Sequence, residues 1–251
     1  MSNKFWKSFS IVLHVLFDEI EIQQQVFIEA YFKSGDVDLV NLLIEYTKID
    51  VSTDNNGAIR YASEYGHIAV VGRLLQDVTG RVDPSSNNNI AICMASECGH
   101  VVVVDRLLQE GRVDPSVYKN QAIRVASQYG HIAVVDRLLQ DRRVDPSAIN
   151  NIAICMASEC GHVVVVDRLL QDGRVNPSAN NNNAIRYASQ NGHVAVVDRL
   201  LQDGRFDPSV DNHNRSVIRG YSSAIQLASH NGHNAVVNRL LQDRRMVTGS
   251  I

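Results

Sequence analysis

Serine and histidine recur in this chain at a fixed offset, and in several places an aspartate completes the set, as in Ser96, His100 and Asp105. Those are the types nucleophilic catalysis uses: a hydroxyl, an imidazole base and a carboxylate to orient it. A triad, however, occupies one geometry at one site, whereas the Ser–His pair recurs six times in step with a longer period. Positions that repeat in this way behave as structure, so no catalytic residue is expected. Four cysteines form two pairs, Cys93/Cys98 and Cys155/Cys160, with members five residues apart. On a helix such partners point to different sides, which suits neither a disulfide nor a compact metal clip. They read as small packing residues kept reduced, and no metal site is expected.

Phosphate-cradling glycine loops of the Gly-x-Gly-x-x-Gly or Gly-x-x-x-x-Gly-Lys-Ser type do not occur, so no cofactor is expected. The formal net charge of −3, with no basic tail, argues against nucleic acid as the main ligand. The cations are lopsided, 19 Arg against 5 Lys. The apolar stretch Phe9 to Phe17 is broken by His14 and followed by Asp18, Glu19 and Glu21. It lacks a small-residue cleavage site and is too short to span a bilayer, so neither a signal peptide nor a membrane segment is expected, and a cytoplasmic location is.

The elements that position these residues come from an internal repeat. Gly-His recurs at Gly66-His67, Gly99-His100, Gly130-His131, Gly161-His162, Gly192-His193 and Gly232-His233, with Gly35-Asp36 as a degenerate first copy. The glycines are spaced 31, 33, 31, 31, 31 and 40 residues apart, which gives seven copies over residues 29–242. In the fourth copy, residues 121–129 make a short helix closed by Gly130. Val134, Val135, Leu138 and Leu139 then stripe one face of a second helix, and Asp145-Pro146-Ser147 turns the chain. All five prolines (Pro84, Pro115, Pro146, Pro177, Pro208) fill that last slot. The run Val101-Val-Val-Val104 suggests a strand by itself, but its register against Ile132-Ala-Val-Val135 makes it helical. Each unit is too small to close a core alone, so neighbours stack. Duplication also shows at 62 residues: residues 88–116 and 150–178 differ only at Glu110/Asp172 and Asp114/Asn176.

The pattern Ala-Ile-x-x-Ala-Ser-x-x-Gly-His-x-x-Val-Val-x-x-Leu-Leu resembles the ankyrin repeat. Three features depart from that family. The Thr-Pro-Leu-His opening is replaced by forms such as Gln121-Ala-Ile-Arg124; the loop is shortened; and the first of the usual three leucines of the second helix is arginine (Arg73, Arg106, Arg137, Arg168, Arg199, Arg239). The resemblance implies an all-α ankyrin-repeat solenoid of stacked helix-turn-helix units, with shortened loops in place of full β-hairpins. It also implies that the turn glycines and histidines are structural. The short repeats with Asn-rich loops are similar to arrays in protists and in large DNA viruses, which would place a viral protein in host cytoplasm.

Stacked second helices lie about 10 Å apart. The Asp of Asp105-Arg106, Asp136-Arg137, Asp167-Arg168 and Asp198-Arg199 could then reach the Arg of the next copy, forming a ladder. Ankyrin arrays commonly bind partners on the concave side, through loop tips and the exposed end of the first helix. Residues matching that surface, which vary between otherwise similar copies, are Arg60, Tyr65, Tyr118, Lys119, Arg124, Gln128, Tyr129, Ile149, Arg186, Gln190 and Asn191. The long last spacing adds the insertion 213–221, where Arg219 and Tyr221 are further contact candidates. The expected organisation is an N-terminal helical cap or recruitment segment (1–28), the repeats (29–242) and a C-terminal tail (243–251). The expected function is that of a non-enzymatic, monomeric scaffold binding another protein. The alternative is a substrate-receptor adaptor of a ubiquitin ligase or similar complex, recruited through the N-terminal segment. That segment lacks the Leu-Pro opening of an F-box.

Overall fold

The computed structural model describes residues 29, 31–46, 50–76, 81–206 and 222–243. The chain divides into two compact units, Met1–Val117 and Tyr118–Ile251. Among the described residues the regular structure is helical, with no strand. The first unit holds α1 (Val37–Tyr46), α2 (Thr53–Glu64), α3 (Ile68–Leu75), α4 (Ser86–Glu97) and α5 (Val101–Leu108). Then come α6 (Val117–Gln128), α7 (Ile132–Leu139), α8 (Ala148–Glu159), α9 (Val163–Leu170), α10 (Ala179–Gln190), α11 (Val194–Gln202), α12 (Ser222–His230) and α13 (Asn234–Leu241). The valine run 101–104 is helical, as its register against the neighbouring copy required.

Helices of like kind stack on one another. In the first unit α2 packs on α4, and α1 on α3 on α5; in the second, α8 packs on α10 on α12, and α7 on α9 on α11 on α13. The core between the two layers is the stripe read from sequence. From α8 come Ala153, Ile154 and Ala157, and from α9 Val165, Val166 and Leu169, each almost wholly buried. Burying such side chains stabilises the fold by roughly 1.5–3 kcal/mol for each large one.

Each first helix ends in a Schellman turn. His162 N–H donates to the Ala157 carbonyl at 2.9 Å and Gly161 N–H to the Ser158 carbonyl at 3.3 Å, with Gly161 at φ 80°. The start of the first helices departs from expectation. Residues 86–88, 117–119, 148–150 and 179–182 read as loop tips, yet they belong to the helical elements as a left-handed turn. Three consecutive residues lie at positive φ in each of five copies: 54–56, 87–89, 118–120, 149–151 and 180–182. Left-handed backbone costs ordinary L-residues about 1–2 kcal/mol each, and asparagine tolerates it best. The asparagine-rich composition of these segments follows from that demand.

Candidate functional site

Most of the repeating polar residues are committed to bonds between copies. The His67 Nε2–H donates to the Lys33 carbonyl at 2.7 Å, and His100 to the Glu64 carbonyl at 2.9 Å. In the second unit His162 and His193 do the same to the carbonyls of Gln128 and Glu159, both at 2.9 Å. These rings also lie on the Cα of the turn glycine one copy back. A Cβ at Gly35, Gly66, Gly130, Gly161 or Gly192 would come within 2.5–2.7 Å of the Nδ1 of His67, His100, His162, His193 or His233 respectively. Gly and His are therefore coupled across neighbouring copies. Gly99 and Gly232 share the positive φ, and His131 also has a partner.

The third residue of every left-handed turn is asparagine. Asn56, Asn89, Asn120 and Asn151 are buried, and each Oδ1 accepts a backbone N–H of the loop that leads into the next copy, at Asp83, Asp114, Asp145 and Asn176, over 2.7–2.8 Å. The aspartate in turn holds the serine two residues on. Asp145 Oδ1 accepts from Ser147 N–H at 2.9 Å and from its hydroxyl at 2.6 Å.

Two arginine sets complete the frame and account for much of the excess of Arg over Lys. The expected ladder is present in three rungs of the second unit. Arg168 Nε donates to Asp136 and Arg199 Nε to Asp167, each at 2.5 Å, and Arg239 pairs with Asp198. Its pattern breaks in the first unit, because Gly72 stands where later copies have Asp. Arg106 turns instead to Glu110, just past the end of its own helix, at 3.0 Å, and Arg73 donates to Asn41 at 2.7 Å. Sequence reasoning missed the second set, Arg112, Arg174 and Arg205. Their guanidinium groups donate to the carbonyls of Val82 (3.0 Å), Val144 (2.7 Å) and Val175 (2.8 Å) one copy back. The signal was available as an acidic residue two positions before each of these arginines. Asp172 and Asp203 grip Arg174 and Arg205 at 2.7 and 3.0 Å.

The triad-like set is not assembled as a triad. Ser96 is wholly buried, His100 is spent on the Glu64 carbonyl, and Asp105 accepts from Gln109 at 3.0 Å. Among the described residues no group of three His, Cys, Asp or Glu converges as a metal site. The cysteines divide, which corrects their common reading as packing residues: Cys93 and Cys155 are buried, Cys98 and Cys160 exposed. Desolvation, then Glu159, pushes the Cys155 thiol up to about 12, and desolvation first raises Cys98 and Cys160 as well. None of these three is an activated thiolate.

Part of the variable set is exposed. Tyr118 and Tyr129 are half exposed, Tyr65 and Ile149 slightly less, and Lys119 and Asn191 also face solvent. Gln128 and Gln190 are half-buried. Asn191 Nδ2 additionally donates to the Glu159 carbonyl at 3.0 Å. Tyr65 stacks on His67 and Tyr129 on His131, ring centroids 6.2 and 6.4 Å apart, which holds each aromatic beside its turn. Arg60, Arg124 and Arg186 are half-buried and turned toward the start of their own helices. Arg219 and Tyr221 lie outside the described residues.

Two layers of helices joined by Gly-His turns, with neighbouring copies tied by backbone-directed side chains, define an α-helical repeat solenoid. The family model for ankyrin repeats matches residues 59–150 and 123–212, more than half of the chain. The chain belongs to the ankyrin repeat family. A search of curated proteins finds no match to it. Ankyrin repeats are generally protein–protein interaction modules, and no described helix is long and apolar enough to cross a membrane.

Proposed function

We propose that this chain is a non-enzymatic scaffold that recognises a partner protein. Its binding surface is formed by the left-handed turns and the ends of the first helices, the side that the resemblance to ankyrin arrays makes concave. One observation carries this reading: many of the shared polar slots (the turn histidines, the third asparagine of the left-handed turns, the arginines) are used between copies, while exposed slots beside them diverge into interface-type residues. Tyr118 and Ile149 occupy the first left-handed position, at φ 48° and 50°, where other copies place Asp54, Asn87 and Asn180. An aromatic and above all a β-branched residue fit that conformation worse than asparagine does. Both side chains stay about half exposed, so burial offsets only part of the cost. Backbone strain held at an exposed position is a mark of function, and large aromatics anchor protein interfaces. A pre-organised surface of this kind loses little entropy on binding.

The same proposal includes a cytoplasmic location and residues 1–28 as a cap or recruitment segment beside the repeats. Its test is capture of partners from cell extract by the full-length chain and by a Tyr118→Ala/Tyr129→Ala/Ile149→Ala variant. Loss of a specific partner, with an unchanged or higher melting temperature, supports the surface. Equal capture by both proteins refutes it.

A further inference from the structure

Arginines at one slot of the first helix differ in whether the chain supplies their counter-ion. In the second copy Arg60 pairs with Asp54, six residues earlier, over 2.5 Å. The fourth and sixth copies keep the arginine but replace that aspartate with Tyr118 and Asn180. Arg124 donates through Nη1 to the Tyr118 carbonyl at 3.0 Å, and Arg186 through Nη1 to Asn183 Oδ1 at 2.9 Å. In each, Nε–H is buried and has no hydrogen-bond acceptor among the described residues. Neither guanidinium meets a carboxylate there, whereas Arg143, Arg168, Arg174, Arg199, Arg205 and Arg239 all do. A half-buried guanidinium with no carboxylate partner favours a counter-ion from outside the chain.

We infer that Arg124 and Arg186 form a two-point recognition site for carboxylate side chains of a partner, an inference that rests on the protein-binding reading. The Asp54–Arg60 pair shows within the same protein that a carboxylate is accepted at this slot. Guanidinium is the group best matched to a carboxylate, through parallel N–H donors. Cys155 fills the equivalent slot between them, so the two arginines lie two repeat steps apart, roughly 20 Å. An extended segment covers that distance in about six residues. The partner is therefore an extended acidic stretch with Asp or Glu about six positions apart. Tyr118 and Ile149 belong to the same run of copies and supply apolar contact beside the charges.

The experiment pans a phage-displayed library of random 16-residue peptides on the full-length chain, then on Arg124→Gln/Arg186→Gln. The expected result is enrichment of peptides with two acidic residues about six positions apart, lost on the double variant. A second variant, Asn180→Asp, restores the internal counter-ion without changing side-chain size. It should weaken the selected peptides about tenfold, while the charge control Asn234→Asp, exposed at the start of α13, changes binding less than about twofold. Enrichment of peptides without acidic residues, or equal binding by Asn180→Asp, overturns the carboxylate site and leaves the protein-binding surface standing. Failure to enrich any peptide overturns the site and also counts against the surface.

Discussion

The His162 ring lies so close to the Cα of Gly130, one copy back, that a Cβ there would fall 2.6 Å from Nδ1. Gly130 also sits at φ 77°, so alanine meets two penalties: left-handed backbone and displacement of a ring bonded to the Gln128 carbonyl. Gly232 has the same backbone, φ 76°, but among the described residues no atom lies within 4 Å of where a Cβ would stand. Gly130→Ala should cost about 2–3 kcal/mol and Gly232→Ala only about 1 kcal/mol. Urea denaturation of both measures the difference, and equal losses would show that the histidine contact contributes nothing.

The missing rung in the first unit can be filled. Gly72 takes the slot of Asp136 and Asp167, a Cβ there would meet no described residue within 4 Å, and Arg106 is left to bond Glu110 just past its own helix. Gly72→Asp should stabilise the protein by about 0.5–1 kcal/mol, part from helix propensity and part from a new ion pair. Conversely, Arg168→Leu should lose about 0.5–1 kcal/mol, less at high salt. Thermal melts of Gly72→Asp with and without Arg106→Leu separate the two contributions. Full additivity would mean that no rung forms.

Asp141 and Asp172 hold the loop arginines, and each carboxyl is kept below its ordinary value, first by the hydrogen bond from the Arg143 or Arg174 side chain. A lowered folded value means that the unfolded chain binds protons first as the pH falls. The stabilisation is therefore fully present above the unfolded carboxylate range, and it is lost as the pH drops through the folded value. Asp141→Asn/Asp172→Asn should be less stable at neutral pH and should lose less between about pH 5 and about pH 2. Urea midpoints across that range check the slope, and parallel curves would contradict the assignment.

The sequence made the frame legible because each frame residue acts once per copy. Gly130 and His131, the Val134–Leu139 stripe and Pro146 all announce their roles by recurrence. Recurrence also exposed the Asp136–Arg168 rung, since the two residue types recur side by side on the second helices of successive copies. It did not reveal that the coupling of glycine to histidine runs between neighbouring copies, because Gly130 and His131 are adjacent in the chain while the contact is to His162. The left-handed turns were hidden for a different reason. Asparagine signals a loop and a left-handed residue equally well, so Asn180-Asn181-Asn182 read as a variable tip although its third position is asparagine in all five copies. The exposed set was readable from its variation, but whether Arg124 and Arg186 had counter-ions was not. That depends on which way each guanidinium turns.

Asn151 does two jobs that substitution can separate. Its backbone is left-handed, φ 62°, and its buried Oδ1 accepts the Asn176 N–H at 2.7 Å. Glycine keeps the first job and loses the second, so Asn151→Gly should cost about 1–2 kcal/mol, the loss of a buried hydrogen bond. Alanine loses both, so Asn151→Ala should cost about 1 kcal/mol more. Aspartate keeps the conformation and an acceptor but buries a charge at the seam between two copies, so Asn151→Asp should become less destabilising as the pH is lowered toward the carboxyl's titration. Chemical denaturation of the three variants tests the order. If Asn151→Ala proves no worse than Asn151→Gly, the left-handed turn carries no strain, and the preference for asparagine there reflects the Oδ1 bond alone.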